Sequence, residues 1–416
     1  MNTADSEEMG RTLVGRGFGF TQTPQDADAI LINTCTVRQH AEDKAFSFVG
    51  TLREWKEANP NRLLIVAGCA AERTKDVLQK RFPYVDLVVG AKSIEQFPEI
   101  VEEALKEKFS WEKDNVGVWP DEGNGKEARA HCAYVTIMRG CNYTCTYCIV
   151  PFVRGREIYR PAAAILKEVE TRVREGAKEI MLLGQTVNSY RGEGEIVDFS
   201  DLLKTVAQIQ GVERIRFMSP HPYYFNDKLI ETLAATPQVC NHIHLPVQSG
   251  SNRILKLMRR NYTRERYLEI VQKLRAAIPN IAITTDIIAG FPTETEQDFD
   301  ETMDLIWEGG FNGAYCFKFS PRDGTDAANL EGQIDQETKE CRLARALELT
   351  EDMGRKKAQA QIGQVKEVLW HTDQEGFSRD SYKVELLNGQ KTQAGSAQPV
   401  NIEGVKSRKL LGRLVS

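Results

Sequence analysis

Short apolar runs alternate with helical spans along most of the chain, and this alternation restricts the fold more than any other sequence feature. In the first part the runs ADAILINT, LLIVAG and VDLVVG are typical of buried strands, and helices are predicted at 38–57, 74–81 and 94–108. Successive strands joined by helices form parallel sheets, because a crossover is needed to start the next strand in the same direction. The sequence therefore predicts an N-terminal parallel α/β domain over residues 1–110.

A second and longer series of the same kind follows. Its six predicted strands are AYVTIM, EIMLLG, RIRFMS, CNHIHLPV, IAITTDII and GAYCFKFS, and each but the last is followed by a helical span. Six such units favour a partial (βα)6 barrel, similar to a TIM barrel, over an open sheet. We place this α/β barrel at 127–357 and expect ligand-binding residues directly after its strands, where the carboxyl ends form one rim.

The two series are separated by a polar stretch, and the pattern changes again near the C-terminus. DEGNGKEARAH, centred near residue 125, has the composition of a linker. After a charged helix predicted at 336–362, the runs VKEVLWH, SYKVEL and LLGRLV predict a small β-barrel at 360–416. The eight basic and six acidic residues from Gln361 onward favour an anionic partner, with an ordinary solvated surface as the alternative.

The composition excludes several classes of protein. The 54 basic and 59 acidic residues give a net charge of −5, so bulk charge does not attract nucleic acid. No apolar run approaches the length that crosses a bilayer, and the acidic start MNTADSEEMG differs from a signal peptide. We therefore expect a cytoplasmic protein with no membrane partner. Because that compartment keeps thiols reduced, the nine cysteines are not expected to form disulfides.

Three of these cysteines carry the strongest functional signal. Cys141, Cys145 and Cys148 form a C-x3-C-x2-C motif directly after the first predicted barrel strand. This spacing allows thiolates of one tight loop to converge on one metal ion or cluster, and three thiolates leave one coordination position open. A structural zinc with a distant fourth ligand is the alternative, although such sites usually combine two cysteine pairs and the sequence has no second pair.

This motif, with Tyr147 before its last cysteine and a six-unit barrel around it, resembles the radical S-adenosylmethionine superfamily. The resemblance implies that the three cysteines hold a [4Fe-4S] cluster whose open iron binds the amino and carboxylate groups of S-adenosylmethionine. Reductive cleavage of this cofactor gives a 5′-deoxyadenosyl radical that removes hydrogen from an unreactive C–H bond. The cofactors supply this chemistry, while the barrel positions them and excludes water.

Four further segments narrow the resemblance to the methylthiotransferases of this superfamily. They are CTYCIVPFVRGREIYRP, LLGQTVNSYRG, HLPVQSGSNRILKLMRRNYT and TDIIAGFPTETEQDF. Within them, LLGQTVNSY resembles the MiaB type, which acts on tRNA. The N-terminal domain and a C-terminal module that resembles a TRAM domain occupy the places that they have in this family.

The resemblance implies a transferase that converts N6-isopentenyladenosine at position 37 of tRNA, beside the anticodon, into its 2-methylthio derivative. The implied partners are the tRNA anticodon stem-loop, an electron donor such as flavodoxin and a sulfur source, and we expect a monomer. One alternative is a methylthiotransferase for threonylcarbamoyl-adenosine in tRNA or for an aspartate of a ribosomal protein. The other is a non-catalytic iron–sulfur protein that binds RNA.

Cys35 and Cys69 offer a second candidate site in the first domain. Each follows a predicted strand, and carboxyl ends of parallel strands lie together, although burial as small apolar side chains is the alternative. The resemblance implies that both hold an auxiliary [4Fe-4S] cluster with a third cysteine, which in the family precedes a segment like MNTADSE. The chain begins with that segment, so we expect a truncated start or an incomplete auxiliary cluster. We favour truncation, because loss of the first strand exposes a sheet edge.

Weaker signals concern the expected rim. By resemblance, the cofactor site is completed by residues after the barrel strands or within the cysteine motif: Tyr147, Gly184, Gln185, Gln248 and Phe291. Gly184 and Gln185 are placed near the cofactor amino group, and Phe291 at an adenine face. Ordinary turn chemistry is the alternative for Gly184, Gln185 and Gln248, and a helix-entry turn capped by Thr293 is the alternative for the GFPTET segment.

Several other side chains have two interpretations. Basic residues on the rim are expected to contact phosphates or simply to be solvated: Arg154, Arg156, Arg160, Arg259 and Arg260. His242 and His244 alternate on one strand and point into the barrel or serve as hydrogen-bonded structural residues. We assign Cys132, Cys240, Cys316 and Cys341 to packing, and we expect no protein acid or base as the central catalyst.

Overall fold

The computed structural model describes residues 1–36, 39–109, 131–387 and 389–415, and the chain divides into two compact units. The first unit contains the described N-terminal residues together with Arg139–Asn142 and Ile149–Glu157. The second contains Tyr143–Cys148, the strand before Arg139 and the chain from Ile158 onward. The linker predicted near residue 125 lies outside the described residues, and the domain limits 1–110, 127–357 and 360–416 stay predictions.

The first unit is built on a parallel three-stranded sheet of order β1-β2-β3, in which Ala29 pairs with Leu63 and Ile65 with Leu87. Its strands and α-helices are β1 (Ala29–Thr34), β2 (Leu63–Gly68), β3 (Leu87–Gly90), α1 (Asn2–Val14), α2 (Gln39–Thr51), α3 (Arg53–Ala58), α4 (Cys69–Arg81), α5 (Phe97–Phe109) and α6 (Val150–Arg154).

The central strand β2 is buried on both faces. Leu63 and Ile65 pack in one apolar cluster with Met9 of α1. Val66 points to the opposite face and packs with Val49 of α2 in another cluster. Because both faces are covered by helices, the strand consists of an unbroken apolar run rather than an alternating one.

The second unit begins with six parallel strands in two sheets, β4-β7-β8 and β9-β10-β11. Ile215 connects them, because its backbone N–H donates to Gln238 and its carbonyl accepts from Cys240. The strands and helices of this partial barrel are β4 (Cys132–Thr136), β5 (Met138–Arg139), β6 (Ile158–Tyr159), β7 (Glu179–Leu183), β8 (Arg214–Phe217), β9 (His242–His244), β10 (Ala282–Ala289), β11 (Gly313–Lys318), α7 (Ala162–Arg174), α8 (Phe199–Ala207), α9 (Asp227–Ala235), α10 (Asn252–Leu257), α11 (Arg264–Ala277) and α12 (Glu296–Gly309).

A long helix leads from this barrel to a closed five-stranded β-barrel of order β12-β13-β14-β16-β15. Its elements are α13 (Gln336–Gln359), β12 (Val365–Trp370), β13 (Glu375–Ser378), β14 (Lys383–Leu386), β15 (Ala397–Lys406) and β16 (Lys409–Leu414). The predicted fold class, a parallel α/β domain, a partial α/β barrel and a small β-barrel, is confirmed.

Two buried arginines of β8 join the β-barrel to the α/β barrel within the second unit. Arg214 donates to the carbonyl of Phe377 at 2.8 Å, and Arg216 donates to that of Ser378 at 2.8 Å. Arg216 also pairs with the buried carboxylate of Glu179 at 2.9 Å. Because these charges are satisfied by backbone carbonyls of β13, the two barrels pack as one compact unit.

Several boundaries differ from the sequence predictions. The helix predicted at 38–57 is two helices, α2 and α3, and α4 starts at Cys69 rather than at residue 74. Helix α1 and strands β13 and β15 were not predicted at all. Among the helices that the structure describes, none has the length and apolar character needed to span a membrane.

Candidate active site

The cysteine loop, residues 141–148, starts at a glycine that no other residue replaces easily. Gly140 has a φ of +78°, and a Cβ placed on it would lie 2.0 Å from the carbonyl oxygen of Arg156. The neighbouring residue, Gly155, accepts a hydrogen bond from the loop, because the Cys141 N–H donates to the Gly155 carbonyl at 3.1 Å. These backbone contacts set the direction in which the chain enters the loop.

The later half of the loop is tied to the second unit through Thr146. Its N–H donates to the Met258 carbonyl at 3.2 Å, and its hydroxyl donates to the Leu257 carbonyl at 2.9 Å. Its own carbonyl accepts from the Ala327 N–H at 2.8 Å. Because three hydrogen bonds hold the residue between Cys145 and Tyr147, the positions of the neighbouring side chains are well defined.

Cys145 is buried and contacts a half-buried arginine. Arg260 places Nη1 3.4 Å from Cys145 Sγ and donates through Nε to the Tyr262 hydroxyl at 2.8 Å. The guanidinium therefore places a positive charge next to this sulfur. Arg260 was predicted to contact phosphate or to be solvated; in the structure its guanidinium contacts the cysteine loop. The sequence carries no local signal for this contact.

Tyr147 and Phe291 lie in one apolar cluster of the second unit with Ile254, Met258 and Phe319. Phe291 is completely buried, and its ring centroid lies 5.3 Å from that of Phe319. The ring therefore packs in the core and leaves no exposed face for an adenine, contrary to its predicted position. Tyr147 is half-buried at the edge of the same cluster.

Gly184, Gln185 and Gln248 follow β7 and β9, as predicted. A Cβ on Gly184 would lie 2.5 Å from Met138 Cγ, so the close packing of this turn needs glycine. Gln248 has a φ of +75° and exchanges backbone hydrogen bonds with Asp286 and Ile288 at 2.8 and 2.9 Å. Within the described chain, Gln185 Oε1 is buried without a hydrogen-bond partner, which is what a missing ligand donor leaves behind.

The GFPTET turn is organised by Glu294 and Thr295. Thr295, rather than Thr293, caps α12 through a reciprocal pair of hydrogen bonds with Asp298. Glu294 accepts from the Gly290 N–H at 2.7 Å and from Arg342 Nη1 at 2.9 Å. Burial raises the pKa of Glu294 to about 7 despite this cation. The turn is therefore held by a buried carboxyl that sequence analysis missed.

His242 and His244 share one partner inside the barrel. His242 Nε2 lies 3.2 Å and His244 Nδ1 3.1 Å from the Thr284 hydroxyl, and His244 Nε2 lies 3.4 Å from an Asp286 oxygen. Burial lowers the pKa of His242 to about 3, so it is neutral. Both histidines are hydrogen-bonded, as in the structural alternative.

In the first unit, Cys35 and Cys69 follow residues that pair across neighbouring strands, Thr34 of β1 and Gly68 of β2. Gly68 has a φ of +99°, and a Cβ there would lie 2.3 Å from Asn33 Oδ1. The sheet therefore brings both cysteines to adjacent strand ends, as expected from the parallel topology. Burial raises the pKa of the Cys69 thiol.

A buried charge cluster adjoins Cys69. Asp5 of α1 is fully buried and pairs with Arg154 at 2.7 Å and with Arg139. Arg154 also donates to the Asn2 side chain at 3.2 Å, and its charge interacts with the nearby Cys69 thiol. Asp5 was not predicted to belong to a site. Neither alternative predicted for Arg154, phosphate contact or solvation, is met, because Arg154 is 7% exposed and paired with Asp5.

The remaining arginines of the rim and the remaining cysteines divide between partnered and exposed positions. Arg160 binds Glu168 at 2.7 Å, and Arg259 pairs with Asp326. Arg156 is exposed.

Cys240 and Cys316 are buried and Cys132 is half-buried, whereas the packing role assigned to Cys341 is wrong because its side chain is exposed.

Within the described ranges, no three His, Cys, Asp or Glu side chains converge closely enough to hold a single metal ion. A [4Fe-4S] cluster does not require such convergence, because each of its cysteines binds a separate iron. None of the nine cysteines, all of which lie within the described residues, forms a disulfide bond.

Comparisons with known proteins cover both units. A family model described as "Radical SAM superfamily" matches residues 135–306, and one described as "Uncharacterized protein family UPF0004" matches residues 1–90. The chain is 39% identical to the tRNA-2-methylthio-N(6)-dimethylallyladenosine synthase of Pelotomaculum thermopropionicum, covering 100% of this chain and 95% of the relative. It is 43% identical to the protein of the same name from Aquifex aeolicus, covering 90% and 87%.

The chain belongs to the radical S-adenosylmethionine methylthiotransferase family. This confirms the family predicted from the cysteine motif and the four segments. Among solved structures, the fold of this methylthiotransferase is similar to that of TsrM, a radical S-adenosylmethionine methyltransferase from Kitasatospora setae, with a TM-score of 0.56 and 14% identity over 72% of this chain and 65% of that chain. At this identity the likeness concerns the fold alone.

Proposed function

We propose that this methylthiotransferase adds a 2-methylthio group to N6-isopentenyladenosine beside the anticodon of tRNA. The observation that carries the proposal is the 39–43% identity, over nearly the whole chain, to relatives named for this reaction. That name also favours the isopentenyl substrate over threonylcarbamoyl-adenosine and over a ribosomal protein.

Cys141, Cys145 and Cys148 are the residues that would hold the [4Fe-4S] cluster. The donor set fits, because none of the three cysteines is in a disulfide bond and Arg260 places a positive charge at Cys145 Sγ. When bound, the cluster would supply the electron, and S-adenosylmethionine would supply the radical that activates the adenine C2–H bond. The open fourth position explains why three cysteines, rather than four, occur in the loop.

The chain's own residues position the ligands. Gln185 Oε1 is a buried acceptor without a partner among the described residues, and it fits the ammonium group of S-adenosylmethionine. The tight turns at Gly184 and Gln248 bring backbone close to that position, and the apolar cluster around Tyr147 excludes water. No protein acid or base is needed for the hydrogen abstraction.

In the first unit, Cys35 and Cys69 would hold the auxiliary cluster that accompanies sulfur donation, next to the charge of Arg154. The C-terminal β-barrel would bind the tRNA anticodon stem-loop as a TRAM-like module. We also propose that the protein is a cytoplasmic monomer. It would depend on an electron donor such as flavodoxin and on a sulfur source.

The wild-type chain tests this function directly. After anaerobic reconstitution, we expect about four or eight irons per chain, according to whether the auxiliary site assembles. With dithionite, S-adenosylmethionine and tRNA that carries isopentenyladenosine, we expect 5′-deoxyadenosine and, with eight irons, the 2-methylthio nucleoside. Cofactor cleavage without sulfur insertion assigns the defect to the first unit. Tight tRNA binding with no cofactor cleavage refutes the proposal and favours the non-catalytic alternative.

Arg260 offers a quantitative prediction about the same cluster. Arg260→Met removes a positive charge and a hydrogen bond at Cys145 Sγ, so the more negative, reduced cluster loses more stabilisation than the oxidised one. We expect the reduction potential to become more negative by on the order of 50 mV. A redox titration followed by electron paramagnetic resonance measures the shift. Arg259→Met, at the exposed neighbour paired with Asp326, is the control and leaves the potential unchanged. Equal potentials in all three proteins contradict the prediction.

A further inference from the structure

His221 has a buried ring nitrogen, Nε2, to which the proposed function assigns no role. The residue follows β8 and is 6% exposed. Its Nδ1 accepts a hydrogen bond from the Tyr223 backbone N–H at 3.2 Å. Because a backbone N–H is always the donor, Nδ1 carries no hydrogen, and the neutral ring holds its hydrogen on Nε2. Among the residues that the structure describes, nothing accepts from Nε2.

The ring is held firmly in this orientation. Asn188, in the turn after β7, accepts from the His221 N–H at 2.7 Å and donates to the His221 carbonyl at 3.0 Å. Tyr143 stacks on the imidazole with a centroid distance of 4.1 Å and an interplanar angle of 14°, and Tyr262 approaches it edge-on at 5.6 Å. An unsatisfied buried donor costs about 1 to 3 kcal/mol, so its retention in a fixed ring points to a ligand.

The position of the ring connects it with the cysteine loop. Tyr143 is part of that loop, two residues before Cys145. Tyr262 is hydrogen-bonded to Arg260, which in turn contacts Cys145 Sγ. His221 therefore lies beside the loop that would hold the cluster, at the rim of the α/β barrel, where ligands are expected.

We propose that His221 Nε2–H donates a hydrogen bond to a ring nitrogen of an adenine bound at this rim. A purine nitrogen is an uncharged acceptor, which suits a neutral donor, and the surrounding rings of Tyr143, Tyr224 and Tyr262 suit a planar base. The adenine belongs to either S-adenosylmethionine or the target nucleoside. This inference rests on the proposed function and adds a base-recognising residue to it.

The test compares His221→Phe, which keeps the planar ring and removes the donor, with His221→Gln, whose amide N–H restores it. Trp55→Phe, in α3 of the first unit, removes another buried ring N–H without a partner among the described residues and is the matched control. On reconstituted protein we would measure the Kd of S-adenosylmethionine by calorimetry and the Kd of an anticodon stem-loop that carries isopentenyladenosine. Circular dichroism checks that each variant folds.

We expect His221→Phe to raise the Kd of one of the two ligands about tenfold, as for one lost hydrogen bond. His221→Gln is expected to restore the wild-type Kd, and Trp55→Phe to leave both Kd values unchanged. Weaker cofactor binding alone assigns the adenine to S-adenosylmethionine. Weaker stem-loop binding alone assigns it to the target nucleoside. In that case, three further stem-loops are tested, in which N1, N3 or N7 of the target adenine is replaced by C–H. The stem-loop that lacks the accepting nitrogen is expected to have the same Kd for the wild type and for His221→Phe.

Unchanged affinities for both ligands in His221→Phe overturn the inference and indicate that a water molecule satisfies Nε2. The same holds if His221→Gln is as weak as His221→Phe, because the effect is then one of packing. A wild type that binds both ligands but forms no 5′-deoxyadenosine refutes the proposed function instead. The two failures are thus distinguishable.

Discussion

Replacing Cys145 by alanine is expected to abolish 5′-deoxyadenosine formation and to lower the iron content by about four atoms per chain. The thiol is buried and contacts Arg260, so no other sulfur can take its place without moving the loop held by Thr146. The two remaining cysteines of the motif cannot hold the cluster in a form that binds the cofactor. Iron counting and chromatography of the reaction products, after anaerobic reconstitution, measure both effects.

Cys69→Ala is the informative comparison, because Cys69 lies in the first unit and not in the cysteine loop. We expect this variant to cleave S-adenosylmethionine at the wild-type rate but to insert no sulfur into tRNA. Cys341→Ala, at an exposed cysteine without a proposed role, is the control and keeps every activity of the wild type.

Two outcomes would contradict this division of roles. Cofactor cleavage by Cys145→Ala at more than background would exclude Cys145 as a ligand of the radical-forming cluster. Loss of cleavage in Cys69→Ala would show that the first unit is needed for the radical step. Cys145→Ser, which is nearly the same size as the wild-type residue, must reproduce the loss, since otherwise the alanine variant reports a folding defect.

Sequence patterns predicted the parts of the fold whose hydrophobic periodicity is strong. All six barrel strands were found because each is part of a short run with apolar residues between predicted helices, although β8 also contains two arginines and β9 two histidines. Strand β2 was visible because both of its faces are buried. Strands β13 and β15 were missed because they are rich in polar residues, and β15 contains Pro399 and an irregularity between Ile402 and Gly404. These two segments form strands because they pair with other strands of the closed barrel, and local sequence patterns do not show such pairing.

The site was predicted where the chemistry is local in sequence and missed where it is not. The C-x3-C-x2-C motif lies within eight residues, so its spacing alone indicated a cluster. In contrast, Arg260 contacts Cys145 across 115 residues, and Arg154 contacts Asp5 across 149 residues. Basic residues near a rim were therefore expected to contact phosphate or to be solvated. Instead, Arg154 is buried, Arg260 is half-buried, and both are paired with groups of their own unit.

Asp5→Ala is expected to destabilise the first unit by about 3 to 5 kcal/mol, because it leaves two buried guanidinium groups without their shared carboxylate. Arg154 and Arg139 are 7% and 8% exposed, and both contact Asp5. Against burial, these cations hold the pKa of Asp5 below its ordinary value of 3.8. The stabilisation is therefore present above pH 3.8 and is lost only as the pH falls through the lower pKa of the folded state.

Glu8→Ala is the matched control, since Glu8 also pairs with Arg139 at 2.6 Å but its side chain is 49% exposed. A solvated pair of this kind contributes less than about 1 kcal/mol. Urea unfolding, followed by hydrogen exchange at the backbone amides of β2, measures the free energy of unfolding of the first unit separately from that of the second. If the two variants lose equal stability, the buried cluster does not support the fold around Cys69. If Asp5→Ala alone is destabilised, α1 anchors Arg154 beside Cys69 through one carboxylate, and the first unit depends on that charge for its auxiliary site.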